Sequence, residues 1–200
     1  MSATADVVII DSGGANLASL RYALDRLGAA SLVTGDPAVI AAAPRVLLPG
    51  VGAAADAMRR LAAAGLVEGI RALTVPVLGI CLGMQLLYEH SEEGDTRCLG
   101  VVPGSVRRLQ PAAGLPVPHM GWNSLHRLAE DPLLAGIGAR DYVYFVHGYA
   151  APVGPHTIAS VEYGGVLTAA VRRGNFRGVQ FHPERSAAVG ARILRNFLEL

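Results

Sequence analysis

Apolar positions along the chain follow two periods, and the places where the period changes predict the elements. Residues 6–11, DVVIID, form a short β-branched run that ends in Asp, Ser and two glycines, the pattern of a buried strand leaving a sheet. Leu17, Leu20, Leu24 and Leu27 then recur at helical spacing with Arg21, Asp25 and Arg26 between them. Asn16 stands where it can cap that helix and Gly28 where it can close it. The unit repeats, with strands predicted over 31–34 and 45–48 and helices over 53–64 and 66–73. A strand over 75–81 runs directly into a helix over 82–90. Such alternation predicts a mostly parallel sheet covered on both faces.

Beyond Gly94 the pattern changes. Segments 104–110, 122–128, 142–150, 157–163, 166–172 and 176–182 are short, alternating and bounded by Gly, Pro or Asp, as antiparallel strands are, and a last helix covers 186–198. The expected fold class is therefore α/β: one domain over 1–200, three layers α/β/α, with a mostly parallel central sheet and an antiparallel extension.

Composition narrows the function classes. A chain of 200 residues that is 52% hydrophobic and only 16% charged can bury a large core, which excludes disorder. The formal net charge of +1 carries no basic block, so neither a nucleic acid nor an anionic membrane surface is the expected partner. Every basic residue is Arg; Schiff-base and phosphate-loop lysines are absent from the possible chemistries. Cys81 and Cys98 are too few for a secreted disulfide framework, residues 1–10 lack the basic region of a signal peptide, and the apolar window 38–55 is broken by Pro44, Arg45, Pro49, Gly50 and Gly52. A cytoplasmic protein is expected. No Cys or His pair has metal-ligand spacing, and no cofactor is called for.

The chemistry concentrates at Gly79-Ile80-Cys81-Leu82-Gly83, a G-x-nucleophile-x-G elbow where a buried strand meets a helix. Cys81 then sits at a helix N-terminus, where amide dipoles favour the thiolate; the plainer reading is a structural cysteine, which is how Cys98 is read. Among six histidines, His182 ends a strand and precedes Pro183, which favours extended backbone, and Glu184 follows two positions on. Residues i and i+2 of extended chain share a face about 6.5 Å apart, so Glu184 can orient His182 while the other ring nitrogen faces a thiol; otherwise His-x-Glu is a surface ion pair. The loop Pro49-Gly50-Val51-Gly52 can turn a peptide N–H toward an oxyanion, or is a simple strand-to-helix turn.

Taken together, GICLGMQLL around Cys81, PGVGA at 49–53 and GVQFHPERS at 178–186 resemble the triad (class I) glutamine amidotransferases, a flavodoxin-like fold. HMGWN at 119–123, YFVHGY at 144–149, Asp11-Ser12-Gly13 with Asn16-Leu17, and ILRNF at 193–197 resemble, within them, the glutaminase subunits of imidazole glycerol phosphate synthases. The resemblance implies that Cys81 attacks the side-chain amide of glutamine, His182 acts as acid and base, and Glu184 orients His182. It implies an oxyanion hole from Leu82 with Gly52 or a reoriented Val51 amide. Gln85, Glu93 and the backbone of Gly148 and Tyr149 match substrate-contacting positions, and His119, Met120, Gly121 and Trp122 line the side facing a partner. The resemblance implies that this partner is a separate cyclase subunit with a (β/α)8 barrel, forming a heterodimer that passes ammonia across the interface for histidine biosynthesis. The Gly-Val-Gly loop can hold two peptide orientations, so partner binding can complete the oxyanion hole. Ser12, Ala15, Gly148 and Arg185 depart from the family's usual residues. The competing readings are the glutaminase subunit of anthranilate or pyridoxal phosphate synthesis, a Cys-His hydrolase acting on peptides, and a non-catalytic module binding an anion at the Ser12-Gly13-Gly14 loop.

Overall fold

Strand periodicity divides the core in two. In the first strand, Val7 and Ile9 point into one hydrophobic cluster while Val8 and Ile10 point into another, and all four are buried. The same split separates Leu47, Leu78 and Ile80 from Val46, Leu48 and Val77. A sheet apolar on both faces must be covered on both, which is the architecture of the computed structural model. It describes residues 5–11, 17–127, 129–139 and 141–200. The Asn16 cap, the Ser12-Gly13-Gly14 loop and Ala15 lie outside the described residues.

In chain order the elements are β1 (Val7–Ile10), α1 (Leu17–Arg26), β2 (Ser31–Thr34), α2 (Pro37–Ala41), β3 (Val46–Gly50), α3 (Ala54–Ala63), α4 (Leu66–Arg71), β4 (Val77–Cys81), α5 (Leu82–Leu86), β5 (Tyr88–Ser91), β6 (Thr96–Arg97) and β7 (Val102–Arg108). Then follow β8 (His119–Ser124), β9 (His126–Arg127), β10 (Tyr142–His147), β11 (Tyr149–Ala150), β12 (Thr157–Glu162), β13 (Val166–Arg173), β14 (Phe176–Val179) and α6 (Ala187–Leu198). The main sheet runs β2-β1-β3-β4-β14-β13-β12-β9. Its first five strands are parallel neighbours and its last three pair antiparallel, so the sheet has the expected parallel half and antiparallel extension. α1 and α6 pack on one face, through Leu20, Leu24, Ile193, Leu194 and Phe197; α2 to α5 pack on the other, through Ile40, Leu61, Ile70 and Met84.

Three expectations need correction. The helix predicted over 82–90 ends at Leu86, because the carbonyls that would continue it are taken from outside: Leu99 N–H bonds Leu86 O at 2.9 Å and Val102 N–H bonds Leu87 O at 2.8 Å. The chain becomes β5, which pairs with β6 and, in parallel, with β7, so the segment predicted over 104–110 is not an antiparallel strand of the main sheet. The strand predicted over 142–150 is two: β10 pairs with β8, and beyond Gly148 the chain crosses to β7 as β11. α2 was not predicted, although Asp36 caps it by accepting from Ala38 N–H and Pro37 begins it.

Candidate active site

The elbow is built by backbone contact. A Cβ at Gly83 would lie 1.7 Å from the Leu48 carbonyl oxygen, and one at Gly79 would lie 2.6 Å from the Gly83 oxygen. Both glycines are therefore required for α5 to start directly against β3 and β4. Between them Cys81 adopts φ 55°, ψ −111°, a region a non-glycine residue enters at a cost of about 1–3 kcal/mol. The surrounding packing holds it there, with Cys81 in the pocket wall at 8% exposure. Its Sγ lies 3.7 Å from the Val146 carbonyl oxygen and 3.8 Å from Gln180 Nε2.

His182 reaches the sulfur from β14. The strand stops at Val179, Pro183 keeps His182 extended (φ −97°, ψ 98°), and Pro183–Arg185 forms a 3-10 turn. Two bonds clamp its backbone: His182 N–H donates to Tyr144 O at 2.9 Å, and Ser186 Oγ donates to His182 O at 2.7 Å. Tyr144 N–H in turn donates to Ser186 Oγ at 2.9 Å. The imidazole Nδ1 is 2.8 Å from Glu184 Oε1, with the two side chains only 9% and 7% exposed. That bond leaves Nε2 buried without an oxygen or nitrogen partner, on the side of the Cys81 thiol with which the ring interacts. Burial opposes charging the ring, but Cys81 and Glu184 outweigh it and raise the His182 pKa well above its ordinary value. The arrangement favours a charged imidazolium, a proton donor, set against the Cys81 sulfur that serves as nucleophile.

The remaining predicted residues distribute around a cavity of about 360 Å³. Val51, Gly52, Leu82, Gln85, Glu93, Gly148 and Tyr149 line it together with Cys81, His182 and Glu184. Gly52 has φ +87°, a conformation that favours glycine, and Val51 beside it is 37% exposed. The end of that loop is tied down by Glu93, whose Oε2 accepts from Ala54 N–H at 2.8 Å, a carboxylate at the start of α3 where no side chain of the helix itself caps it. Gln85 is buried and donates to Tyr149 O at 2.9 Å and to Gln180 Oε1 at 3.0 Å.

The HMGWN group divides. Met120 and Trp122 project to solvent at 63% and 52% exposure, as alternate residues of one strand do, while His119 is buried at 3%. Its ring lies inside, stacked on Phe145 and Tyr163, rather than on the predicted partner-facing surface; Gly121 is half-buried between Met120 and Trp122. Trp122 packs edge-on against Tyr144, over whose ring the Arg185 guanidinium sits at 4.9 Å. Sequence reasoning did not single out Gln180 or Ser186, although both lie inside the 178–186 segment. Their signal is a polar residue at a fully buried strand end and a hydroxyl four residues after the histidine. Among the described residues no group of three or more His, Cys, Asp or Glu is placed to hold a metal ion.

Comparison with known proteins agrees with this geometry. The model of the glutamine amidotransferase class-I family matches residues 8–200. The chain is 62% identical over 195 residues to imidazole glycerol phosphate synthase subunit HisH of Xanthomonas euvesicatoria, covering 98% of both proteins, and 56% identical to the subunit of the same name from Xylella fastidiosa, again with 98% coverage. Among solved structures, a glutamine amidotransferase superposes with TM-score 0.74 at 21% identity, over 96% of this chain and 97% of that one. Another, from Thermotoga maritima, superposes with TM-score 0.64 at 20% identity, over 96% and 80%; at such identities the likeness bears on the fold. On the elbow, the cavity and these relatives together, the chain belongs to the class I glutamine amidotransferases and, within them, to the family of imidazole glycerol phosphate synthase HisH subunits.

Proposed function

We propose that the chain hydrolyses glutamine at Cys81 and delivers the ammonia to a separate barrel-fold cyclase, in the cytoplasm, for histidine biosynthesis. The carrying observation is the meeting of Cys81, His182 and Glu184 at one cavity, with His182 raised in pKa by the other two. Cys81 Sγ attacks the side-chain carbonyl carbon of glutamine, and the oxygen takes up the negative charge opposite the Leu82 amide and an amide of the Val51–Gly52 loop. Such a donor contributes about 2.7–4 kcal/mol to the transition state. The His182 imidazolium gives its proton to the departing nitrogen, ammonia leaves, and a thioester remains on Cys81. Neutral His182 then takes a proton from water as the water attacks, and the tetrahedral adduct collapses to release glutamate, with the Cys81–His182 pair back in its starting protonation. Glu184 keeps the ring oriented through both proton transfers.

The cyclase docks on the face carrying Met120, Trp122 and the exposed Tyr142, a small apolar cluster of the composition that interface centres favour. Ammonia that entered bulk water would become ammonium and lose its nucleophilic lone pair, so a closed passage preserves it. No helix among the described residues is long and apolar enough to cross a bilayer.

The test is Cys81→Ser in the complex with the cyclase. Glutamine-driven synthesis is expected to fall at least 10³-fold while added ammonium still supports it; equal loss with both nitrogen sources would contradict the assignment.

A further inference from the structure

Outside the triad, one chain of hydrogen bonds has every proton determined. His147 Nδ1 lies 2.8 Å from the Tyr149 carbonyl oxygen, and a carbonyl only accepts, so Nδ1 carries hydrogen. Burial, the largest influence, pushes the His147 pKa down to about 4, leaving a neutral ring whose Nε2 must accept. It accepts from His119 Nδ1 at 3.0 Å. Burial likewise pushes His119 down to about 4, so its Nε2 is bare and faces Asn123 Nδ2 at 3.4 Å. The Asn123 amide is oriented independently: Oδ1 accepts from Ser124 N–H at 2.8 Å and Nδ2 donates to Glu162 O at 3.0 Å. All protons therefore run from Asn123 through His119 and His147 to Tyr149 O, which also accepts from Gln85 Nε2. Both lone pairs of that oxygen are used.

The rings have little freedom to do otherwise. His119 is stacked between Phe145 at 4.8 Å and Tyr163 at 3.9 Å, and it stands directly across the β8–β10 ladder from His147. One residue further along the same ladder, Met120 pairs with Val146, whose carbonyl is the one beside Cys81 Sγ. β8 thus offers Met120 and Trp122 to the outside while its His119 reaches the pocket wall from within.

We infer that His119 and His147 are positioning residues that fix the Tyr149 carbonyl, and with it the Gly148–Tyr149 wall of the glutamine pocket, from the strand that presents the docking face. The inference rests on the glutaminase reading above. A wall set by a directed hydrogen-bond chain holds substrate in one pose, so its loss is read as weaker glutamine use with little change in the chemical step.

The test compares His119→Gln with His119→Asn in the full chain bound to the cyclase. The Asn amide nitrogen takes the place of Nδ1 and keeps the donor to His147; the Gln amide reaches only the Nε2 position and removes it. KM for glutamine is expected to rise about tenfold in His119→Gln, with kcat within about twofold, and to stay within about threefold of the parent in His119→Asn. An equal KM rise in both, or no rise in His119→Gln, overturns the inference. If His119→Gln does not fold, His147→Asn against His147→Leu makes the same comparison at Tyr149, with KM raised only in the Leu variant. A parent complex that releases no glutamate from glutamine contradicts instead the glutaminase reading, so the two failures are distinct.

Discussion

The two sides of the pocket are held by different physics. On the parallel side, Cys81 and Gly50, which leads into the Val51–Gly52 loop, are placed by backbone packed on backbone, with Gly83 and Gly79 admitting contacts that no side chain could share. On the opposite wall, His182, Gly148 and Tyr149 are placed by buried polar groups, among them Ser186, Gln180, Gln85, His147 and His119. The first kind of support fails all at once when a methyl group is inserted. The second fails one hydrogen bond at a time, so a partner docked on β8, as proposed, would be able to adjust the pocket without dismantling the nucleophile.

The largest expected break in this contrast is Gly83→Ala. A Cβ at 1.7 Å from Leu48 O forces α5 away from β3, costing about 4 kcal/mol or more; thermal unfolding is expected to show a drop in Tm of about 8–16 °C or more, or no folded protein. Glu184→Gln sharpens the other side. It removes the carboxylate that favours the imidazolium, so kcat is expected to fall about 10–10²-fold. The folded pKa of His182 drops toward its ordinary value, and the alkaline limb of the kcat profile moves to lower pH, because the proton needed by the leaving nitrogen is lost sooner. A pH–rate profile of parent and variant checks both.

A smaller effect is the pH dependence of stability. The folded pKa values of His119 and His147 lie below the unfolded 6.5, so the unfolded chain binds more protons between about pH 4 and 6.5 and stability falls as pH falls through that window. His182 has the opposite sign. Its folded pKa is raised, so its contribution is complete below 6.5 and declines as pH rises above it. Denaturation at a series of pH values is expected to give maximum stability near pH 6.5; replacing His119 by Asn flattens the acid side by about 1 kcal/mol or more.

This contrast also explains what could be read from the chain. The G-x-C-x-G elbow and the glycine loop are local, so spacing places them on a strand-to-helix junction, and the parallel order follows from alternating periods. The end of α5 was not legible, since Leu86, Leu87 and Tyr88 continue a helical apolar pattern and only the distant amides of Leu99 and Val102 stop it. His119 illustrates the same limit. Its neighbours Met120 and Trp122 are surface residues, and nothing local shows that Phe145 and Tyr163 enclose its ring. Ser186 sits where a helix cap is expected, yet makes no cap bond and instead holds His182 to β10.

The most direct measurement of the central claim is mass spectrometry of the intact complex treated with a thiol-directed glutamine analogue. Cys81 is expected to take one equivalent, with glutamine protecting it and Cys98, whose pKa burial pushes up to about 11, remaining unmodified. Labelling at Cys98 in preference to Cys81, or labelling that glutamine does not slow, would contradict the account.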